Sequence, residues 1–142
     1  MLRASGTLKV DRRNQRIFVD MDIDFVRYYN WFITREYWKI YSTPKYGAHM
    51  TVGNVLFHDS IDWHLASKYH GKTIEFEYDE NIYLGGQTKG IAVWFVKTYS
   101  KEIERIKTEL GIVEKSSYKG LHITISTAKQ LVRDYWPEMI TI

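Results

Sequence analysis

The sequence predicts an α+β fold of two pseudo-symmetric lobes, and three observations lead there. A five-residue phrase, Gly47-Ala48-His49-Met50-Thr51, recurs as Gly120-Leu121-His122-Ile123-Thr124 at a constant offset (122 − 49 = 73 and 124 − 51 = 73). Each copy is preceded by an apolar strand pattern and then by an amphipathic helical pattern, giving strand, helix and His-strand twice over. No linker or low-complexity segment divides the 142 residues, so both halves belong to one domain, 1–142, long enough for a real core.

The elements follow in order. A short strand over residues 7–10 turns back around Asp11 to Gln15, and Ile17-Phe18-Val19 is the next strand. Asp20 or Asp22 offers a carboxylate to the first free amides of a helix over residues 23–38. Its inner face is Phe25, Tyr28, Tyr29 and Phe32, with Arg27, Asn30 and Thr34 opposite. Ser42, Thr43 and Pro44 end that helix and lead into the first phrase, whose strand runs on or bends at Gly53-Asn54. A short helix follows Asp59-Ser60, with Ile61, Leu65 and Tyr69 inward and Gly71 as its stop. Residues 73–78 alternate as a strand with one wet face, and residues 82–84 and 112–115 are short strands. Gly85-Gly86-Gln87 through Gly90 is the loosest loop, a lid or a hairpin connection. Residues 91–96 form a buried strand. Ser100 then caps a helix whose inner face is Ile103, Ile106 and Leu110 and whose end is Gly111. The second phrase follows as a strand, and residues 139–142 are apolar enough for a last one.

Composition narrows the class. Hydrophobic content of 44% and charged content of 26% are those of a soluble globular protein. Apolar runs are too short for a membrane helix, and the basic start lacks a signal peptide's apolar centre. With no cysteine, disulfides and thiolate metal sites are excluded and an intracellular, cytoplasmic setting is expected. A net charge of +3 is mild support for a phosphate-bearing partner, and most of the 15% aromatic residues belong to the core. No obligate protein partner and no membrane partner is evident.

The phrases carry the chemistry. Side chains alternate along a strand, so His49 and Thr51 share one face, as do His122 and Thr124. The residues between and after them, including Val52 and Ile125, turn to a core. Two such strands side by side would gather two imidazoles and two hydroxyls around one cleft. Imidazole exchanges protons near neutral pH, and a phosphodiester broken in line needs one proton removed and one delivered on opposite sides of phosphorus. Threonine hydroxyls can donate to the non-bridging oxygens. Other chemistries lack their residues: there is no Gly-x-Ser-x-Gly elbow and no Gly-rich loop with Lys-Ser/Thr. Two His and two Thr lack the carboxylates of a thiol-free metal site, while His58, His64 and His70 read as surface or capping residues, so no metal and no cofactor is expected. Lys45-Tyr46 and Tyr118-Lys119 stand just before each glycine, offering charge for a phosphate and a ring for a base; Trp136 and Glu138 offer stacking and a hydrogen bond. Exposed loop residues and a packing Trp are the structural alternatives.

The two phrases resemble the paired His-x-Thr/Ser signature of the 2H phosphoesterase superfamily, which includes LigT-like RNA phosphodiesterases. The order of elements agrees over most of the chain. The resemblance implies a bilobal 2H-phosphoesterase-like fold, with antiparallel sheets forming a central groove and helices outside. It implies metal-independent catalysis by His49, Thr51, His122 and Thr124. Superfamily substrates are cyclic phosphates of RNA ends and of ADP-ribose, 2′,5′-oligoadenylates and cyclic di- or trinucleotides. The small size and aromatic-rich first helix are similar to phage anti-CBASS phosphodiesterases, which destroy the cyclic oligonucleotides bacteria use as antiviral alarms. The chain departs from these in its tail, which is short after His122 (142 − 122 = 20). The expectation is thus a phosphodiesterase for 3′,5′ bonds of cyclic oligonucleotide signals, working in the host cytoplasm if phage-encoded. The alternatives are an RNA 2′,3′-cyclic phosphodiesterase or RNA-end ligase, and a non-catalytic nucleotide- or RNA-binding module.

Overall fold

The structure, a computed structural model, describes residues 1–37, 47–55, 58–85, 91–114, 120–129 and 139–141. The chain opens with β1 (Leu2–Asp11) and β2 (Arg16–Asp20), an antiparallel pair. The turn between them is held by the Asp11 carboxylate, which accepts from the Asn14 amide at 3.1 Å. Asp22 rather than Asp20 caps α1 (Asp24–Tyr37), accepting from the Asp24 amide at 2.9 Å. β3 (His49–Asn54) carries the first phrase, and β4 is His58–Asp59. Asp62 caps α2 (Trp63–Ala66), which runs into a single 3₁₀ turn, Ser67–Tyr69. β5 (Thr73–Tyr78), β6 (Asn81–Gly85) and β7 (Ile91–Tyr99) follow. Ser100 caps α3 (Lys101–Glu109), accepting from the Ile103 amide at 3.2 Å. β8 (Val113–Glu114) pairs with β4, and β9 (His122–Lys129) and β10 (Met139–Thr141) end the chain.

These strands do not form two lobes with separate sheets. The hydrogen-bonded order is β10-β6-β7-β5-β1-β2-β3-β9, and β7 also pairs with β9. The sheet therefore closes as a six-stranded antiparallel barrel, β7-β5-β1-β2-β3-β9, with β6 and β10 extending from it. Among the described residues only three short helices accompany it, of 14, 4 and 9 residues. The expected bilobal α+β arrangement is thus replaced by a barrel, for two reasons. First, β1 is shared between the halves: residues 2–7 pair with β5 and residues 7–11 with β2. The change of partner comes beside Gly6, where a Cβ would lie 2.5 Å from the Asp20 carbonyl oxygen and 2.6 Å from Val19 Cγ1, so only glycine permits the approach. Second, the two phrase strands meet, which leaves those six strands without open edges.

The doubling survives inside the barrel. β2-α1-β3 and β7-α3-β9 repeat strand, helix, strand. Between β2 and β3 the register passes from Ile17 opposite Gly53 to Phe18 opposite Thr51, leaving Val52 as the bulged residue. Between β7 and β9 it passes from Trp94 opposite Ser126 to Phe95 opposite Thr124, leaving Ile125. Val52 and Ile125 stand at the same offset as the phrases (125 − 52 = 73), so the repeat includes the backbone irregularity after each threonine. The helix-side face of the sheet is the core. Leu8, Val19, Met50, Ile123 and Val96 form one cross-strand row through β1, β2, β3, β9 and β7, and all are fully buried. Val26 and Tyr29 of α1, Ile103 and Ile106 of α3, and Leu110 at the C-terminal cap of α3 join the same cluster. Burying each large apolar side chain contributes about 1.5–3 kcal/mol.

No described helix is long and apolar enough to cross a membrane. Of the two expectations for His58, surface or capping, the structure removes the first. His58 is buried, with Nδ1 accepting from the Asn54 amide at 3.1 Å, rather than lying at the surface. His70 Nδ1 likewise accepts from the Val10 amide at 3.0 Å. Both are backbone acceptors, and they serve different elements, which is why their even spacing in the sequence carries no shared site.

Candidate functional site

The two phrase strands are neighbours. Their one rung among the described residues sets Met50 opposite Ile123. Continuing antiparallel from it, His49 stands beside Thr124 and Thr51 beside His122. The flanking strands complete two rows on the face away from the core. One row is Phe18, Thr51, His122 and Lys97; the other is Asp20, His49, Thr124 and Phe95. The rows are related by an approximate dyad through the Met50–Ile123 pair. It exchanges the two His, the two Thr and the two Phe, and it sets Asp20 against Lys97. Directly opposed side chains lie about 4.5–5.5 Å apart at Cβ and diagonal ones about 7–8 Å. The two imidazoles occupy a diagonal, a separation that leaves room for a tetrahedral group between them.

Both imidazoles are held in the same way. His49 Nδ1 lies 3.0 Å from the Gly47 carbonyl oxygen and His122 Nδ1 lies 2.6 Å from that of Gly120. A carbonyl only accepts, so Nδ1 must carry the proton, and the lone pair of the neutral ring is on Nε2. Gly47 and Gly120 adopt φ of +74° and +85°, the left-handed region that lets the chain double back so that a carbonyl reaches a side chain two residues on. Each ring also meets the edge or face of a phenylalanine: Phe18 and His49 have centroids 6.0 Å apart at 84°, and Phe95 and His122 5.4 Å apart at 65°. Burial pushes the His49 imidazole below its usual value of 6.5, and the Arg16 charge pushes the same way. The Gly47 carbonyl and Asp20 oppose them without reversing the result.

The structure thus gathers His49, Thr51, His122 and Thr124 on one face. Lys45, Tyr46, Tyr118, Lys119, Trp136 and Glu138 lie outside the described residues, as does the Gly86 to Gly90 stretch of the expected lid. Trp94, within the strand expected to be buried over residues 91–96, is core, with 1% exposure. Sequence reasoning missed Phe18, Asp20, Phe95 and Lys97. A signal existed: on the strand before each helix an aromatic residue is followed two later by a charged one, at a matching offset (95 − 18 = 77 and 97 − 20 = 77). It also missed the outer props. The Arg16 guanidinium lies 4.2 Å over Phe18 and pairs with Asp11 at 3.8 Å. The Lys97 ammonium lies 4.3 Å over Tyr83, whose ring stacks on Phe95. Among the described residues, no cluster of three or more His, Asp or Glu is disposed to hold a metal.

The chain matches no family model, no curated protein and no solved structure.

Proposed function

We propose that this face cleaves phosphodiesters, and that the protein is a metal-independent phosphodiesterase of the 2H chemical type acting on 3′,5′ bonds of cyclic oligonucleotides. The observation that carries the reading is the diagonal pair of imidazoles, each with Nδ1 pinned to the glycine carbonyl two residues before it. A phosphate between them has one Nε2 on each side, as in-line displacement requires. His49, its protonated form disfavoured by burial, is the base. It removes the proton of the ribose 2′-hydroxyl, whose oxygen attacks phosphorus. His122 delivers its proton to the departing 5′-oxygen as that P–O bond breaks. The product ends in a 2′,3′-cyclic phosphate, which water opens with the two roles reversed. Thr51 and Thr124 donate to the non-bridging oxygens as charge builds there. Each proton transfer contributes about 10²–10⁴ in rate. Together that is about 5–11 kcal/mol of barrier.

The test is to offer a 3′,3′-linked cyclic dinucleotide, and an RNA ending in a 2′,3′-cyclic phosphate, in the presence of EDTA. Chromatography with mass spectrometry should detect ring opening to a linear product with a cyclic phosphate end. His49→Ala and His122→Ala should each lower turnover at least about 100-fold while affinity stays within about tenfold. Cleavage of the RNA end alone would reassign the enzyme to RNA-end processing. Binding without turnover in the wild type would make the protein a nucleotide-sequestering module.

A further inference from the structure

The eight-residue face obeys its dyad at every position but one. Phe18 answers Phe95, Thr51 answers Thr124 and His49 answers His122, yet the residue directly across from His49 is Asp20 and the one directly across from His122 is Lys97. The places are equivalent by backbone as well as by register. The Met21 amide donates to the Ala48 carbonyl at 3.2 Å and the Thr98 amide to the Leu121 carbonyl at 3.1 Å, one residue beyond each pair. Both Asp20 and Lys97 are exposed. A symmetric site with opposite charges at its two ends binds an asymmetric substrate in one direction, because like charges at the wrong end repel.

We propose that Lys97 and Asp20 set that direction: Lys97 holds the phosphate that follows the leaving nucleoside, and Asp20 faces the nucleoside that supplies the 2′-hydroxyl. The inference rests on the phosphodiesterase reading and names its substrate class, an internal 3′,5′ linkage followed by another phosphate. Every linkage in a cyclic oligonucleotide meets that requirement; a terminal 2′,3′-cyclic phosphate does not.

Three observations support the assignment. The Lys97 ammonium lies over the face of Tyr83, whose hydroxyl donates to Asp79; the Lys97 charge reaches that carboxylate, but among the described residues it makes no ion pair within 4 Å. An open cavity of about 1270 Å³ adjoins Lys97, Gly120 and Leu121, room for a nucleoside and its phosphate beyond His122. Of the four glutamates in its lining, Glu77 pairs with Arg3 at 3.9 Å and Glu102 with Lys72 at 3.6 Å, and Lys97 is the cation of that lining that stands across from His122. At the other end Arg16 is already paired with Asp11, and Lys9 lies one strand further out, opposite Phe18. Asp20 is the charge directly across from His49, although the Arg16 charge also reaches that imidazole. A carboxylate there repels a phosphate and accepts from a sugar hydroxyl or a base amine.

Two linear probes separate the directions: ApAp, with a phosphate after the leaving nucleoside, and pApA, with one before the attacking nucleoside. The wild type should cleave the internal bond of ApAp with kcat/KM at least about tenfold above that of pApA. Lys97→Gln should bring the ratio within about threefold. The exchange Asp20→Lys with Lys97→Asp should invert it; melting curves establish that each variant is folded, and Lys97→Gln alone decides if the exchange is not. Equal rates in the wild type, a preference for pApA, or a preference unchanged in Lys97→Gln would overturn the proposal. Cleavage of neither probe by the wild type would instead overturn the phosphodiesterase reading beneath it.

Discussion

Met50 lies directly opposite Ile123, and each is the other's counterpart in the repeat (123 − 50 = 73). The dyad of the site therefore passes through a fully buried pair on the reverse of the face that carries the histidines. The Thr98 hydroxyl also donates to Met50 Sδ at 2.9 Å, tying β7 to the same point.

Met50 should thus govern both stability and the alignment of the two strands. Met50→Ala should cost about 2–5 kcal/mol, through lost burial and an emptied volume. Met50→Leu keeps the volume and should cost less than about 1.5 kcal/mol from repacking, plus about 1 kcal/mol for the Thr98 hydroxyl left without its acceptor. Urea denaturation measures both. A loss under about 1 kcal/mol for Met50→Ala would mean that the seam between β3 and β9 is not the packed centre described above.

Gly47 and Gly120 should matter to the imidazoles more than to the fold. Neither would have a heavy atom within 4 Å of an added Cβ, so an alanine meets only the strain of positive φ, about 1–2 kcal/mol. The melting temperature should fall by about 3–7 °C. Gly71 provides the control: its φ is +88°, it too has open space, and it lies away from the site. Gly71→Ala should lose similar stability with kcat intact, while Gly47→Ala and Gly120→Ala lose at least about tenfold in kcat as the carbonyl holding Nδ1 shifts. Equal kcat in all three variants would reduce the two phrase glycines to turn residues.

The lowered pKa of His49 gives a signed pH dependence. Folded His49 binds less proton than unfolded His49 below the usual value of 6.5. Its stability contribution is therefore complete above pH 6.5 and declines as pH falls through 6.5 toward the lower folded value. The difference between wild type and His49→Gln, from urea melts between about pH 5 and 8, should show this decline in the wild type only. Activity has a matching sign. A base must be unprotonated, so the acid limb of kcat/KM should fall below pH 6.5 within a bell-shaped profile. An acid limb above that value would remove His49 from the role of base.

Much of this molecule is legible in the sequence because much of it is local. The caps at Asp22 and Ser100, the stops at Gly71 and Gly111, the alternation of β5 and the inner face of α3 depend on residues within one or two turns of one another. The doubled phrase is also local, and its period-two alternation sends His49, Thr51, His122 and Thr124 to one side of their strands.

Closure into a barrel, the single described rung between β3 and β9, and the neighbours of each imidazole were decided only in three dimensions. Phe18 meets Thr51, and Phe95 meets Thr124, from well outside one another's local sequence (51 − 18 = 33 and 124 − 95 = 29). Each of those registers is set by a bulge, at Val52 and at Ile125, and a slip of one residue would turn every side chain to the other face. No periodicity within a strand encodes that choice. It is made by burying Leu8, Val19, Met50, Ile123 and Val96 in one row, which is a property of five strands together. For the same reason the two histidines are evident in the sequence, whereas the aspartate beside one and the lysine beside the other emerge only when the strands are paired.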